Sequence, residues 1–363
     1  MLRLIKSKYI IILITLISTS LFAENFNFST PLDISSAAGF SSQITADSSG
    51  RYVFAIWLDG TPNIQTARSA DFGQTWDTIV TTFGTGFQPQ IVTDSSGRYV
   101  FATWQDGANI KVARSADFGQ TWITIVPNLG AGSFPQIVAD SSGKYVFATW
   151  QDGANIKVAR SADFGQTWTS QIIGTALSPL SPNPQIVTDN SGRYVFAIWD
   201  DGTDIQTARS DDFGQTWTTI VPSLGTGDRP QIVTDSSGRY AFAIWRDSPN
   251  IQTARSANFG QTWTTIVPNF GPGVSPQIVT DSSGRYVFAI WQDASPNIQV
   301  ARSDDFGQNW TTIVPNLGQG SVPQIVTDSS GRYVFPIWVN TDIYTSQGLR
   351  SFFPITKFNI SRD

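Results

Sequence analysis

The stretch PQIVTDSSGRYVFATWQD, Pro89 to Asp106, decides the fold. It holds an apolar-rich run, a Ser-Ser-Gly turn, a second apolar run and a Gln-Asp turn. Its glutamine recurs at Gln43, Gln90, Gln136, Gln185, Gln231, Gln277 and Gln324, in steps of 46 to 49 residues. Working outward, each unit parses into four short strands. QIVTD is strand A, and RYVFAIW or its variant is strand B. NIKVARS is strand C, reached through a turn such as QDG. WTTIVP is strand D, reached through the loop DFGQ, and a Gly-rich connection leads to the next unit. Strands of five to seven residues separated by Gly, Asp and Ser read as antiparallel meanders. A period in the mid-forties with four strands per unit is that of a propeller blade. The expected fold is all-β: a seven-bladed β-propeller of four-stranded antiparallel blades.

The chain ends bear on closure. Strands A and B occur seven times, but the C–D loop and strand D only six times. FSTPLDISSAAGFSSQITAD, Phe28 to Asp47, aligns with WTTIVPNLGAGSFPQIVAD, Trp122 to Asp140, with a one-residue gap. Residues 28–34 are therefore expected to supply the outer strand of the last blade and remove the open seam. The alternative is that Ser351 to Ile360 supplies it. The domain reading is 1–23 signal peptide, 24–348 propeller and 349–363 tail.

Arg3, Lys6 and Lys8 precede an apolar run of 14 residues, Tyr9 to Phe22, and Ala23 follows as a small cleavage residue. That is the layout of a secretory leader. The run is too short to span a bilayer, which takes about 20 residues, and no later segment is apolar enough to do so. Secretion, the periplasm or the cell surface is the expected location. The chain contains no Cys and no His, which excludes thiol chemistry, His/Cys zinc sites and His-based acid–base work. Without the three leader cations, 20 basic residues face 28 acidic ones. Nucleic acid is therefore not an expected partner. No cofactor and no metal is expected, and the expected state is a monomer.

Six C–D loops share one pattern: SADFGQTW at Ser69–Trp76, Ser115–Trp122 and Ser161–Trp168, SDDFGQTW at Ser210–Trp217, SANFGQTW at Ser256–Trp263 and SDDFGQNW at Ser303–Trp310. In this the repeats resemble the Asp-box (BNR) propellers of sialidases, some xyloglucanases and sortilin-type receptors, over about residues 28–348. Asp71, Asp117, Asp163, Asp212, Asn258 and Asp305 read as structural turn acceptors, Gly73 and its equivalents as positive-φ residues, and Trp76 and its equivalents as packing anchors between sheets. Asn258 accepts hydrogen bonds but cannot act as an acid, which argues against a catalytic or metal-binding box.

The resemblance would imply, for a sialidase, a Tyr nucleophile, a Glu to activate it, an Asp acid/base and three Arg residues. Glu24, at the cleavage junction, is the only Glu. Arg51 and Arg68 begin two repeat series, and Arg229, Arg246, Arg350 and Arg362 alone fall outside them. Tyr344 with Asp342 is an incomplete set, and no Asp pair is singled out for a xyloglucanase-like mechanism. No catalytic residue is assigned.

Two features remain as ligand-binding candidates. The first is the series of B–C turns: Trp57 and Asp59, Trp104 and Asp106, Trp150 and Asp152, Trp199 and Asp201, Trp245 and Asp247, Trp291 and Asp293. A Trp face beside a carboxylate suits a sugar, and six weak sites would act by avidity. Equally, the Trp residues could pack between blades and the Asp residues close turns. The second is a break in symmetry, where Asp200, Asp204, Asp228, Arg229 and Arg246 fall in B–C or D–A loops of the fourth and fifth blades. Asp200, Asp201 and Asp204 lack a full calcium-loop pattern. The leading reading is an exported non-catalytic propeller that binds a glycan or protein through the face carrying these loops. The alternatives are a sialidase-like glycoside hydrolase and an assembly scaffold.

Overall fold

The structure is a computed structural model. It describes residues 40–349, save 60, 80–82, 126–127, 177–182, 221–222, 267–269, 315, 341 and 346–347. Leader, proposed closing strand and C-terminal tail lie outside the described residues. All the regular structure described is β, in seven antiparallel sheets that follow one another along the chain. Six have a full set of strands A to D in sequence order. In the second blade these are Phe87–Thr93, Val100–Asp106, Asn109–Ser115 and Ile123–Thr124. The seventh is partial: Ser321–Thr327 and Tyr333–Asn340 pair, and a third strand follows in two pieces, Asp342–Thr345 and Gly348–Leu349.

Strand B is buried on both faces, which explains its unbroken apolar run. Phe101 and Thr103 point one way, Val100, Ala102 and Trp104 the other, by the period-2 alternation of a strand. Phe54, Ile56 and Ile64 of the first blade pack against Ile91, Val100, Ala102, Trp104 and Ala113 of the second. Equivalent residues join the later blades in the same way.

Strand B begins at Val100, not at Arg98, because the preceding residues belong to a capped turn. Asp94 is 4% exposed. Its Oδ1 accepts from the Tyr99 N–H at 3.0 Å and its Oδ2 from the Ser96 hydroxyl at 2.6 Å. An Asp of this kind recurs in every described A–B turn, buried from Asp47 to Asp281 and half-buried at Asp328. The A–B turns are also linked to one another. The Ser48 N–H donates to the Ser95 carbonyl, Ser95 to Ser141, Ser141 to Asn190, Asn190 to Ser236, Ser236 to Ser282 and Ser282 to Ser329, at 2.9–3.1 Å.

The Trp at the end of strand B is the largest buried group of each blade. Trp150 is fully buried, and its Nε1–H donates to the Ala131 carbonyl in the preceding D–A loop at 2.9 Å. Gly132 follows at φ 153°, and a Cβ there would fall 2.2 Å from the Trp150 ring. The Gly-rich character of the D–A connection thus lets the backbone pass against the indole edge. The C–D loop Trp residues, by contrast, are only half-buried, so strand B rather than the C–D loop supplies the main packing anchors. Trp150→Ala is expected to cost about 3–5 kcal/mol, the range for emptying a large buried aromatic site, and Trp168→Ala clearly less. Denaturant unfolding of the two variants side by side measures the difference, and equal losses would contradict this ranking.

Candidate functional site

Hydrogen bonding sorts the loops into two groups. The C–D loop bonds to its own A–B turn, as in the 3.1 Å Phe118 N–H to Arg98 carbonyl contact. The B–C turn bonds to the D–A loop, as in Ile64 N–H to Gly84 carbonyl and Gly86 N–H to Pro62 carbonyl, both at 2.9 Å.

The C–D loops are closed by their own side chains. Asp71 Oδ1 accepts from the Thr75 N–H at 2.8 Å, and Oδ2 from the Thr75 hydroxyl at 2.6 Å. The Ser69 hydroxyl donates to Asp71 and accepts from the Gly73 N–H. Asp117, Asp163, Asp212 and Asp305 make the same set. At Asn258 the amide oxygen still accepts from the Thr262 N–H, and Nδ2 donates to the Thr262 hydroxyl at 2.9 Å. Asn309 replaces Thr in the sixth loop and donates to Asp305 at 2.6 Å. These carboxylates are therefore tied up within their turns. The Phe of each described loop has a φ of 59–63°. From the second blade on it lies against the Tyr of the preceding blade, as in Tyr99–Phe164 at 4.6 Å.

The repeat arginines are engaged too. Arg98 lies over the Tyr99 ring at 5.3 Å. Arg114, Arg160 and Arg209 of strand C donate to the carbonyls of Phe164, Phe213 and Phe259 in the next blade. They bind blade to blade and are not free to clamp a substrate carboxylate. The side chains of Asp342 and Tyr344, and all of Arg350 and Arg362, lie outside the described residues.

On the other face the Trp half of the candidate set needs correction. Trp57, Trp104, Trp150, Trp199, Trp245 and Trp291 are at most 5% exposed. Three of them donate their indole N–H to D–A loop carbonyls. A ring sealed between sheets presents no face for a sugar, so these six residues are core. The sequence places them at a turn but does not reveal that the D–A loop folds over them.

The Asp residues of these turns divide by partner. Asp59 accepts from Thr61, Asn63 and Gln65, Asp293 from Ser295, Asn297 and Gln299, and Asp201 from Thr203, Asp204 and Gln206. They close their own turns. For Asp201 and Asp293 burial works to raise the pKa, but these bonds outweigh it and hold the carboxyl low. Asp106 and Asp152 pair with Lys111 and Lys157 at 2.5 and 2.6 Å. Asp247 accepts from the Thr226 hydroxyl, and Asp204 from the Ser223 hydroxyl.

The symmetry break brings Asp200, Asp228 and Arg246 together. Asp228 and Arg246 face each other across strands A and B and form a two-pronged ion pair, one arm at 2.7 Å. Asp200 ends strand B of the fourth blade, and its carboxyl is pushed up by burial and by the charges of Asp228 and Asp201. Arg229 is exposed at a φ of 52°. Among the described residues no group of three or more potential metal ligands converges. One cleft of about 290 Å³ lies on this face, between Phe270 and Pro272 of a D–A loop, Asp293, Ala294 and Ser295 of the next B–C turn, and Gln299 of the strand C that follows.

Sequence reasoning missed a further feature of this face. Every strand A begins with a β-bulge or an equivalent kink, where a non-Gly residue adopts positive φ: Ser41 in the first blade, then Gln88, Phe134, Asn183, Arg229, Ser275 and Val322. The usable signal was variability, since the residue before Pro-Gln changes from blade to blade, as does the residue before it, while the strand A and B sequence that follows is nearly constant.

No protein-family model matches the sequence, and no curated protein matches it. Its fold is similar to that of several solved structures. The lectin BP39L from Burkholderia pseudomallei matches with a TM-score of 0.61 and 13% identity, over 85% of this chain and 95% of that one. YCF48, solved bound to D1 peptide, matches with a TM-score of 0.52 and 17% identity, over 89% and 100%. A prolyl endopeptidase matches with a TM-score of 0.56 and 8% identity over 85% of this chain, which spans only 50% of that enzyme. At such identities the likeness is one of fold. The chain has repeated four-stranded blades like those of the β-propeller proteins BP39L and YCF48.

The C–D loops make a pH prediction. The Thr75 hydroxyl first, then the Thr75 N–H and Ser69, hold the Asp71 carboxyl down at about 2, below the value of about 3.9 for an unfolded Asp. A depressed carboxyl stabilises the fold fully above the unfolded value, and this contribution is lost as the pH falls through about 2. Asn258 does not titrate. Amide exchange protection at Thr75 should therefore fall relative to that at Thr262 between about pH 4 and pH 2. At neutral pH, Asp117→Asn should change stability by less than about 0.5 kcal/mol. Parallel loss at Thr75 and Thr262, or a large neutral-pH penalty for Asp117→Asn, would show that the carboxylate does more than close the turn.

Proposed function

We propose that this chain is an exported, non-catalytic Asp-box propeller that holds a glycan or protein ligand on the face carrying the B–C and D–A loops. The observation that carries this reading is the contrast between the two faces. On the A–B and C–D side five of the six described C–D loops repeat the same closed hydrogen-bond set, and the remaining one keeps the turn closed through Asn258. On the other side the blades diverge, at Asp200, Asp228, Arg229 and Arg246 and at the bulges. Ligand contacts would come from the loop groups of that side, since the Trp rings are buried. The lectin and the peptide-bound protein among its structural neighbours support a binding role. A location at the cell surface or in the periplasm accords with the expected leader, and a monomeric state is part of the same proposal.

Closure of the propeller belongs to the same proposal. Ile44 and Phe72 of the first blade are 67% and 63% exposed, and Val326 of the seventh is 59% exposed. Their counterparts Ile91, Phe118 and Val92 are covered by a neighbouring blade. The first and seventh blades thus carry the two halves of the junction found between all the others, and residues 28–34 would add the missing outer strand. Deleting residues 24–36 should lower the unfolding temperature, and an unchanged value would remove the N-terminal strand from the account.

The class is tested with the mature chain on a glycan array and in a fluorogenic sialoside assay beside Tyr344→Phe. Absence of turnover is the expected result, and capture on the array would make the ligand a glycan. A Tyr hydroxyl with a pKa near 10 needs a base to act as a nucleophile, and Glu24, at the leader junction, is the only Glu. Turnover by the wild type, lost in the variant, would make the protein a hydrolase instead.

A further inference from the structure

Six inner strands start with a residue at positive φ followed directly by a buried proline: Gln88, Phe134, Asn183, Arg229, Ser275 and Val322, with φ between 40° and 56°. The left-handed region is costly for any residue with a Cβ, and a β-branched residue such as Val322 is a marked outlier there. Glycine would relieve the cost, yet it stands at none of the six. Five of the six sites are not Asn either, the other residue that tolerates this region.

A second position in the same blades shows what a structural role for such a residue looks like. The C–D loop residue at φ 59–63° is Phe in every described case, and from Phe118 onward its ring lies against the Tyr of the preceding blade. One repeated contact goes with one repeated residue. At the bulge the backbone stays in the same region, with φ of 40–56°, but the six sites carry five chemical types: amide, aromatic, guanidinium, hydroxyl and aliphatic. Packing that repeats from blade to blade does not account for them.

The bulge residues lie on adjoining strands, and two of them are bonded to each other. The inner strands of successive blades lie side by side, and the Phe134 N–H donates to the Gln88 side-chain oxygen at 3.1 Å. A ligand lying across these positions meets a different group at each blade. A repeating oligosaccharide has no use for such a series, whereas a polypeptide segment, whose side chains differ residue by residue, does. Arg229 is exposed, and the neighbouring Asp228 is already held by Arg246. Val322 is 60% exposed, on the seventh-blade strand that the proposed closure sets beside the first blade. An acidic side chain facing the fifth blade and apolar side chains toward Phe134 and Val322 would complement the series.

We propose that the bulge residues of the inner strands are the specificity determinants of this protein, and that they read one extended polypeptide segment bearing acidic and apolar side chains. The inference rests on the assignment of this face as the binding surface and narrows its ligand to a peptide.

The test pairs stability with binding. Val322→Gly and Arg229→Gly relieve the strained backbone and should each raise the unfolding temperature by about 1–2 °C. A displayed library of random peptides panned on the intact wild-type chain should enrich one acidic–apolar consensus. The enriched peptide should bind the Arg229→Gly, Val322→Gly double variant at least about tenfold more weakly. Lower unfolding temperatures would make the bulge side chains structural and overturn the proposal. So would failure to enrich a consensus, or equal binding by the double variant. A glycan that binds wild type and double variant alike would also overturn it while leaving the binding-face reading intact. Sialoside turnover would defeat that reading and leave the temperature result to stand by itself.

Discussion

The structure depends on one junction, repeated from blade to blade. The apolar face of one strand B, Phe54 and Ile56 in the first case, meets the Trp-bearing face of the next, with Ile91 of the adjoining inner strand closing the contact. No disulfide is available to a chain without cysteine, so this packing carries the stability. Removing apolar surface from water at roughly 25 cal/mol per Å² favours it, and buried residues 0–2% exposed line it in blade after blade. Each of the second to sixth blades is held mainly by its two neighbours, as in other repeat architectures.

Around this junction the two faces have different tasks. On the A–B and C–D side polar groups lock the blades together. Buried Asp residues cap the A–B turns, the backbone links from Ser48 to Ser329 join one turn to the next, and strand C arginines reach the following C–D loop. A near-constant sequence accompanies this near-constant bonding. On the B–C and D–A side the constant features are in the backbone: in each of the first six blades the D–A segment donates an N–H to the B–C turn, and it passes the Trp edge. There the sequence varies, and charged and strained residues collect. The repeat thus separates what builds the fold from what distinguishes one blade from another.

Much of the fold was legible in the sequence because a mid-forties period with four strand-and-turn signals has few physical solutions. The strands, the C–D turns and the lone Asn258 could be read locally, since each depends on residues within a few positions. The role of the six strand B Trp residues could not. A Trp before a turn reads as exposed or buried until the D–A loop, some 19 residues upstream in the case of Ala131 and Trp150, is seen to cover it. The Asp228–Arg246 pair was legible as two odd charges but not as partners, because cross-strand register joins residues 18 apart. The buried Asp of the A–B turn was present in the repeat but carried no signal separating it from an ordinary turn residue.

The claim on which the rest stands is that the blades are locked to one another at the A–B turns as well as through their cores. Native-state hydrogen exchange at the Ser95, Ser141, Asn190, Ser236 and Ser282 amides measures that lock directly. Each of these exposed-turn residues donates its N–H to the next blade. The account predicts slow exchange at all five, approaching that of the strand B amides, so that they open only when blades separate. Fast exchange at these amides beside slow exchange in strand B would show blades that pack without being linked, and would contradict it.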